Sequence, residues 1–288
     1  MGMVKDGAEL TRHPRDGARG ACGRPGPGES SAVPLPLAAL VAFLVSFASW
    51  RTLLLTRGGA AAAFAVGTAI LLGQGWPGAA VLLAFFLPTS LVSRALPDVT
   101  ARFGGKDGPR DGWQVAANGG AAALTALAWY HQASGLGVAA AALAAAAADT
   151  WATSFGAGSR RPPRSILTGV PVLPGSSGGV TWRGTAGGAL GGAVVALVAG
   201  FVSGSPRLGL ITFLCGAGGM LLDSLLGAAL QGRFVCPRCE RPAERRIHDC
   251  GSRTKPVGGL AWLGNDGVNL LATTAAALAA LLLGVRAA

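Results

Sequence analysis

Charge is what this chain has least of. Only 13% of its 288 residues are Asp, Glu, Lys or Arg, against the ~25% usual in a soluble domain. That shortage excludes an ordinary soluble globular protein. Acidic residues are the scarcer kind, 13 against 24 Lys and Arg. No cleavable signal peptide is evident, and no internal repeat is obvious. The five cysteines are too few and too uneven for a disulfide framework, because Cys236, Cys239 and Cys250 cluster while Cys22 and Cys215 stand alone. Histidine is rarer still. His13 falls in a polar tail, His131 at a helix end away from the other polar motifs, and His248 within the cysteine cluster, so no Ser–His or Cys–His nucleophile pair is on offer outside that cluster.

What is abundant is apolar. Hydrophobic residues make up 51% of the chain, and 46 are glycine, a composition suited to helices that approach closely in lipid. Candidate spans lie at 33–50, 59–75, 77–93, 115–131, 134–150, 184–203, 207–230 and 267–285, each with the ~17–25 residues a bilayer needs. The predicted fold is an all-α polytopic integral membrane protein of eight transmembrane helices, within a range of six to nine. Residues 1–32, with GRPGPGESS, read as a disordered tail. Residues 33–288 read as one membrane-embedded catalytic domain, with a Cys/His loop at 231–262 inserted before the last helix.

The net charge of +11 would suggest nucleic acid as partner in a soluble protein. Here the positive-inside rule and an anionic substrate account for it without nucleic acid. Loops after the first, third, fifth and seventh helices carry 2, 4, 4 and 7 Lys or Arg. Those four loops share a side, which the rule makes cytoplasmic. The polar motifs fall on that side too.

Two aspartates interrupt the apolar pattern: Asp149 in AAALAAAAADT and Asp223 in GGMLLDSLLGAAL. A carboxylate at bilayer depth is costly and marks a functional cavity. Thr150, Ser224, Asn265, Asp266 and Asn269 add hard oxygen donors. Such a set suits magnesium held together with substrate phosphates, with Asp149 and Asp223 as ligands and Asp266 able to take a second ion. The other reading of Asp223 is a hydrogen-bonded packing residue. Lys106, Arg110, Gln114 and Asn118 are spaced by four, which predicts one helix face with Pro109 in its first turn. Arg110 can grip phosphate in bidentate fashion, with Lys106 as a mobile charge; an ordinary basic juxtamembrane loop is the other reading. Gly175-Ser176-Ser177-Gly178-Gly179 can offer backbone N–H groups to an anion just ahead of a helix. Cys236, Cys239, His248 and Cys250 form CxxC followed by HxC, the ligand set of a closed structural zinc knuckle or, failing that, a redox pair.

Taken together, GWQVAANGG, ADTWATS, PVLPGSSGGVTWRGTAGGALGG, LLDSLLGAALQ, CPRC–ERRIHDCG and GNDGVNLL resemble the transmembrane protein 19 family, also called domain-of-unknown-function family 92. The likeness runs from about 35 to 286. It implies kinship with phytyl phosphate kinases, which make a prenyl diphosphate from the monophosphate and a nucleoside triphosphate. A looser likeness to phosphatidate cytidylyltransferases implies CTP or another nucleotide, with magnesium. The chain departs from the family at Ser154, where a glutamate is usual, and has Gly-Ser-Ser-Gly-Gly for Gly-Thr-Asn-Gly-Gly. The expected function is a magnesium-dependent prenyl-phosphate kinase with its active face on the cytoplasmic side. The alternatives are a CTP-dependent nucleotidyltransferase on a lipid phosphate, or a transporter.

Overall fold

The computed structural model describes residues 33–96, 108–130, 132–243, 246–248 and 250–284. The tail expected to be disordered, Lys106 and His131 lie outside the described residues. The chain is mostly helical: α1 (Leu35–Arg51), α2 (Arg57–Ala95), α3 (Gly112–Ala128), α4 (Ala133–Ala157), α5 (Trp182–Val202), α6 (Pro206–Ala229) and α7 (Asn265–Leu282). It is not all-α. Strands β1 (Arg164–Ser165) and β2 (Gly179–Val180) pair antiparallel between α4 and α5. Strands β3 (Arg233–Val235), β4 (Pro242–Ala243) and β5 (Lys255–Gly258) form a small antiparallel sheet in the order β4-β3-β5 between α6 and α7.

Helix starts follow the side chains that can satisfy free backbone N–H groups. Thr56 caps α2, Thr181 caps α5, and Ser205 caps α6 just ahead of Pro206. Asp111 and Gln114 form a reciprocal capping box at α3. That box moves the start of α3 past Arg110. Arg110 instead pairs with the α1–α2 turn, donating its N–H to Leu54 O at 3.0 Å and accepting from Thr56 N at 3.0 Å. The expected single helical face is corrected accordingly for the residues described: Arg110 lies ahead of the helix, while Gln114 and Asn118 are helical.

The helices expected at 59–75 and 77–93 belong to one element, α2, broken at Gly75, whose φ of 60° no ordinary side chain would favour. The two limbs fold back on each other. A Cβ on Gly67 would stand 4.0 Å from Leu82 Cδ2, and one on Gly78 3.0 Å from Ile70 Cγ2; a straight helix would hold those pairs about 22 Å and about 12 Å apart. Gln74 ties the turn to α3, donating to Trp129 O at 2.8 Å. Among the described residues, 5 helices qualify by length and composition to cross a membrane, α2 and α4 to α7, while α1 is apolar but has only 17 residues. The count of eight spans is not reached on that basis.

α4 is the axis of the molecule and packs on α2, α3, α5, α6 and α7. Its run from Val138 to Ala148 is fully buried, so the alanines face protein rather than lipid. Glycines on α5 let it close on α4: a Cβ on Gly188 would lie 2.7 Å from Ala148 O, and one on Gly191 2.9 Å from Ala147 O. This is the small-residue seam by which membrane helices gain van der Waals contact. α4 also runs past its expected end at 150 to Ala157, so Asp149 lies two turns inside the helix.

Candidate functional site

The ends of α1, α2, α4 and α6 and the starts of α3, α5 and α7 meet at one end of the bundle and enclose a cavity of about 1220 Å³. That exceeds the 300–1,000 Å³ typical of a site for one small ligand. Asp149 on α4 and Asp223 on α6 adjoin at its floor, within hydrogen-bonding reach of each other. Asn118 on α3 and Asn269 on α7 line the same spot. α3 and α7 are held in register there by Thr273 Oγ1 donating to Ala117 O at 3.1 Å.

Oδ2 of Asp223 and Oδ1 of Asn269 are buried with no hydrogen-bond partner among the described residues. Buried acceptors are normally satisfied. Two unsatisfied oxygens beside a second carboxyl group form an oxygen-only donor set with spare lone pairs, which can hold a hard divalent cation. This observation favours a cation site over the reading of Asp223 as a packing residue, which requires satisfied oxygens.

Most other sequence-predicted residues also line the cavity: Arg110, Gln114, Thr150, Ser224, Asn265 and Asp266. Two have prior commitments. Gln114 spends its carbonyl oxygen on the Asp111 N–H at 3.0 Å, leaving its NH₂ group for the cavity. Thr150 donates to Ala146 O at 3.0 Å, leaving its oxygen as acceptor. Burial pulls the Arg110 guanidinium below its usual value, though an arginine stays charged at any working pH.

The Gly175–Gly179 loop also borders the cavity. Gly178, at φ 73°, lies so close to α6 that a Cβ would sit 2.7 Å from the Ala228 Cα. Not every N–H of the loop is available. Those of Ser176 and Gly179 are used in turns, to Leu173 O at 3.1 Å and Ser176 O at 3.0 Å. The N–H groups of Gly175 and Gly178 have no partner among the described residues. Ser154, where the family resemblance implies a glutamate, lines the cavity as well.

Sequence reasoning passed over Arg94, Arg160 and Arg161, which line the cavity too. Their only signal was membership in basic loops, and that was explained by topology.

Beside the cavity, Cys236, Cys239, His248 and Cys250 bring one ligand atom each within 4.8 Å of the others. Cys236 Sγ and Cys250 Sγ are 3.6 Å apart, and His248 Nδ1 lies 3.2 Å from Cys250 Sγ. Sulfurs sharing a tetrahedral zinc at ~2.3 Å would be about 3.8 Å apart, so the cluster fits a metal such as zinc. Hydrogen bonding to Ser252 draws the Cys250 thiol down, while hydrogen bonding to Cys250 pushes the Cys239 thiol up, so without a metal the negative charge settles on Cys250 first. The sheet carrying these ligands is joined to the cavity rim: Gly232 N donates to Leu263 O at 2.9 Å, and Leu260 N to Leu230 O at 2.8 Å.

The family model described as "Integral membrane protein DUF92" matches residues 40–277. The chain belongs to that family. Among curated proteins, this DUF92 chain is similar to Protein PGR of Arabidopsis thaliana, 29% identical over an alignment 278 residues long that takes in 82% of this chain and 91% of the relative. No solved structure matches the DUF92 chain at a significant level. The resemblance read from the motifs therefore holds at the level of the family, and so does the assignment to the membrane.

Proposed function

We propose that this protein is a magnesium-dependent phosphotransferase that converts a prenyl, phytyl-like monophosphate into the diphosphate at the cytoplasmic membrane face. The observation that carries the reading is the Asp149–Asp223 pair, with unsatisfied oxygens beside it, at the floor of a cavity rimmed by arginines. When bound there, magnesium would neutralise phosphate charge; Asp149, Asp223 and Asn269 would hold it, with Asp266 close by. Phosphoryl transfer needs positioning and charge neutralisation more than an elaborate nucleophile. An oxygen of the lipid phosphate forms a bond to the γ-phosphorus. The bond from that phosphorus to the β–γ bridging oxygen breaks, and the nucleoside diphosphate leaves with the electron pair. CTP is the favoured donor.

In this reading the Cys236–Cys239–His248–Cys250 cluster holds a structural zinc. The two limbs of α2 count as separate crossings, giving eight. The concentration of arginine at the cavity end supports a cytoplasmic orientation for it. Of the Lys and Arg residues described, only Arg207, at the start of α6, sits at the other end.

The test uses protein in detergent with magnesium, radiolabelled phytyl or geranylgeranyl monophosphate, and CTP or ATP, with thin-layer chromatography of the lipid. A prenyl diphosphate is expected, reduced at least about 100-fold in Asp149→Asn and Asp223→Asn while both variants still insert. Wild-type rates in both variants would eliminate the proposed site. A CDP-linked lipid with released pyrophosphate would make the protein a nucleotidyltransferase instead.

A further inference from the structure

The cavity is too large for one phosphate group, and two stretches of its wall differ in chemistry. One wall is the α1–α2 turn with the end of α2. There Arg94 donates to Thr52 O at 2.6 Å, and Arg110 holds Leu54 by backbone pairing and reaches Ser93 Oγ at 3.3 Å. These bonds pin a turn that presents leucines: Leu53, Leu54 and Leu96 line the cavity beside the two guanidinium groups. Leu53 has a φ of 58° and is 67% exposed. A bulky side chain in the left-handed region is strained, and such strain concentrates at functional positions.

The other wall is the α4–α5 connection, where the cavity lining between 152 and 185 has no apolar side chain larger than Val180. Of the four arginines from 160 to 183, Arg164 in the connection donates to Gly169 O at 2.8 Å and Arg183 in the first turn of α5 to Gly158 O at 2.7 Å. Those two brace the loop. Arg160 and Arg161 are exposed, line the cavity, and make no side-chain hydrogen bond or ion pair with a described residue. They are followed at once by Pro162 and Pro163, whose fixed φ limits how far they can swing away. The unpartnered N–H groups of Gly175 and Gly178 lie on the same wall.

We infer that the two walls are two anion subsites for two substrates. Arg160, Arg161 and the Gly175–Gly179 loop hold the polyphosphate of the nucleotide, and Arg110 with Arg94 holds the lipid phosphate, its first isoprenoid unit lying on Leu53 and Leu54. The assignment rests on the phosphotransferase reading and adds direction to it. Free cations and N–H groups among small polar side chains suit a water-soluble polyanion. Cations interleaved with exposed leucine suit a phosphate that carries an apolar tail. The Asp149–Asp223 pair lies on the floor that both walls share, where the two phosphates would meet.

Binding separates the two subsites without turnover. Full-length protein in nanodiscs of zwitterionic phosphatidylcholine is equilibrated with magnesium and radiolabelled CTP or ATP, and separately with radiolabelled geranylgeranyl monophosphate. The double variant Arg160→Gln/Arg161→Gln is expected to weaken nucleotide binding about tenfold or more, the scale of charge-assisted hydrogen bonds, with prenyl-phosphate affinity held within about twofold. Arg110→Gln and Leu53→Gln are expected to give the opposite pattern. Equal losses of both ligands, or a loss of prenyl phosphate in the double variant, would overturn the assignment. So would unchanged nucleotide affinity together with weaker retention of labelled phosphatidylserine doped into a parallel set of nanodiscs, which would make Arg160 and Arg161 lipid-headgroup contacts. Failure of the wild type to bind either ligand would instead bring down the phosphotransferase reading beneath it. Exposure, and the lack of side-chain partners among the described residues, make the double variant safe to fold, and an unchanged melting temperature checks this.

Discussion

Ser154 stands one turn beyond Asp149 and Thr150 on α4 and faces the same cavity, at a position where the family usually has glutamate. A carboxylate there would join the oxygen donors around Asp149. Ser154→Glu is expected to lower the magnesium concentration needed for half-maximal rate by several-fold, since each added anionic ligand strengthens a hard-cation site. A magnesium titration of the two proteins reads it directly, and overlapping curves would place Ser154 outside the ion's reach. The sequence made the acidic residues legible because a carboxylate in an apolar run has few structural excuses. It hid Arg94, Arg160 and Arg161, because an arginine beside a membrane helix already has a reason to be there. Gln114 shows the opposite failure. Its spacing from Arg110 suggested a shared face, while Asp111-Gly112-Trp113-Gln114 also spells a capping box, and the box decided where the helix begins.

Among elements, the α4–α5 seam and the Cys/His sheet carry the sharpest expectations. Gly188 lies against Ala148 O and Met220 Sδ. Gly188→Leu would overpack that contact and is expected to cost about 2 kcal/mol or more, seen as a lower melting temperature in detergent with less protein reaching the membrane. Wild-type melting would mean the seam is loose. At the other element, Cys236→Ser is expected to remove the bound metal stoichiometrically and to make 231–262 sensitive to protease, while α1–α6 stay resistant. A variant that keeps both metal and protection would show that Cys236 is not a ligand. The hinge at Gly75 was legible as the gap between two apolar runs. The sheet β3–β5 was not, since strands of two to four residues are too short to show a period, and four soft ligands drew attention to the loop as a metal site instead.

For the whole molecule, one end carries nearly every described cation, and three exposed tryptophans, Trp113, Trp182 and Trp262, stand at helix starts on that end. Indole rings favour the headgroup level, so the cavity mouth would sit near the membrane surface rather than deep within it. Orientation is testable with single introduced cysteines. A membrane-impermeant thiol reagent is expected to reach Val257→Cys from the cytoplasmic side and Arg207→Cys from the opposite side. The reverse pattern would turn the site away from cytosolic nucleotide.

One consequence follows from α4 being walled in by five neighbours. A helix whose middle is a run of alanines partitions only feebly into lipid, and Asp149 makes it less soluble there still. α4 therefore depends on its companions to remain in the bilayer, and the contacts that escort it are the ones that carry Asp149 up to Asp223. Burial of the alanine run and assembly of the candidate site therefore coincide: the same packing of α4 on α6 that shields its alanines sets Asp149 beside Asp223.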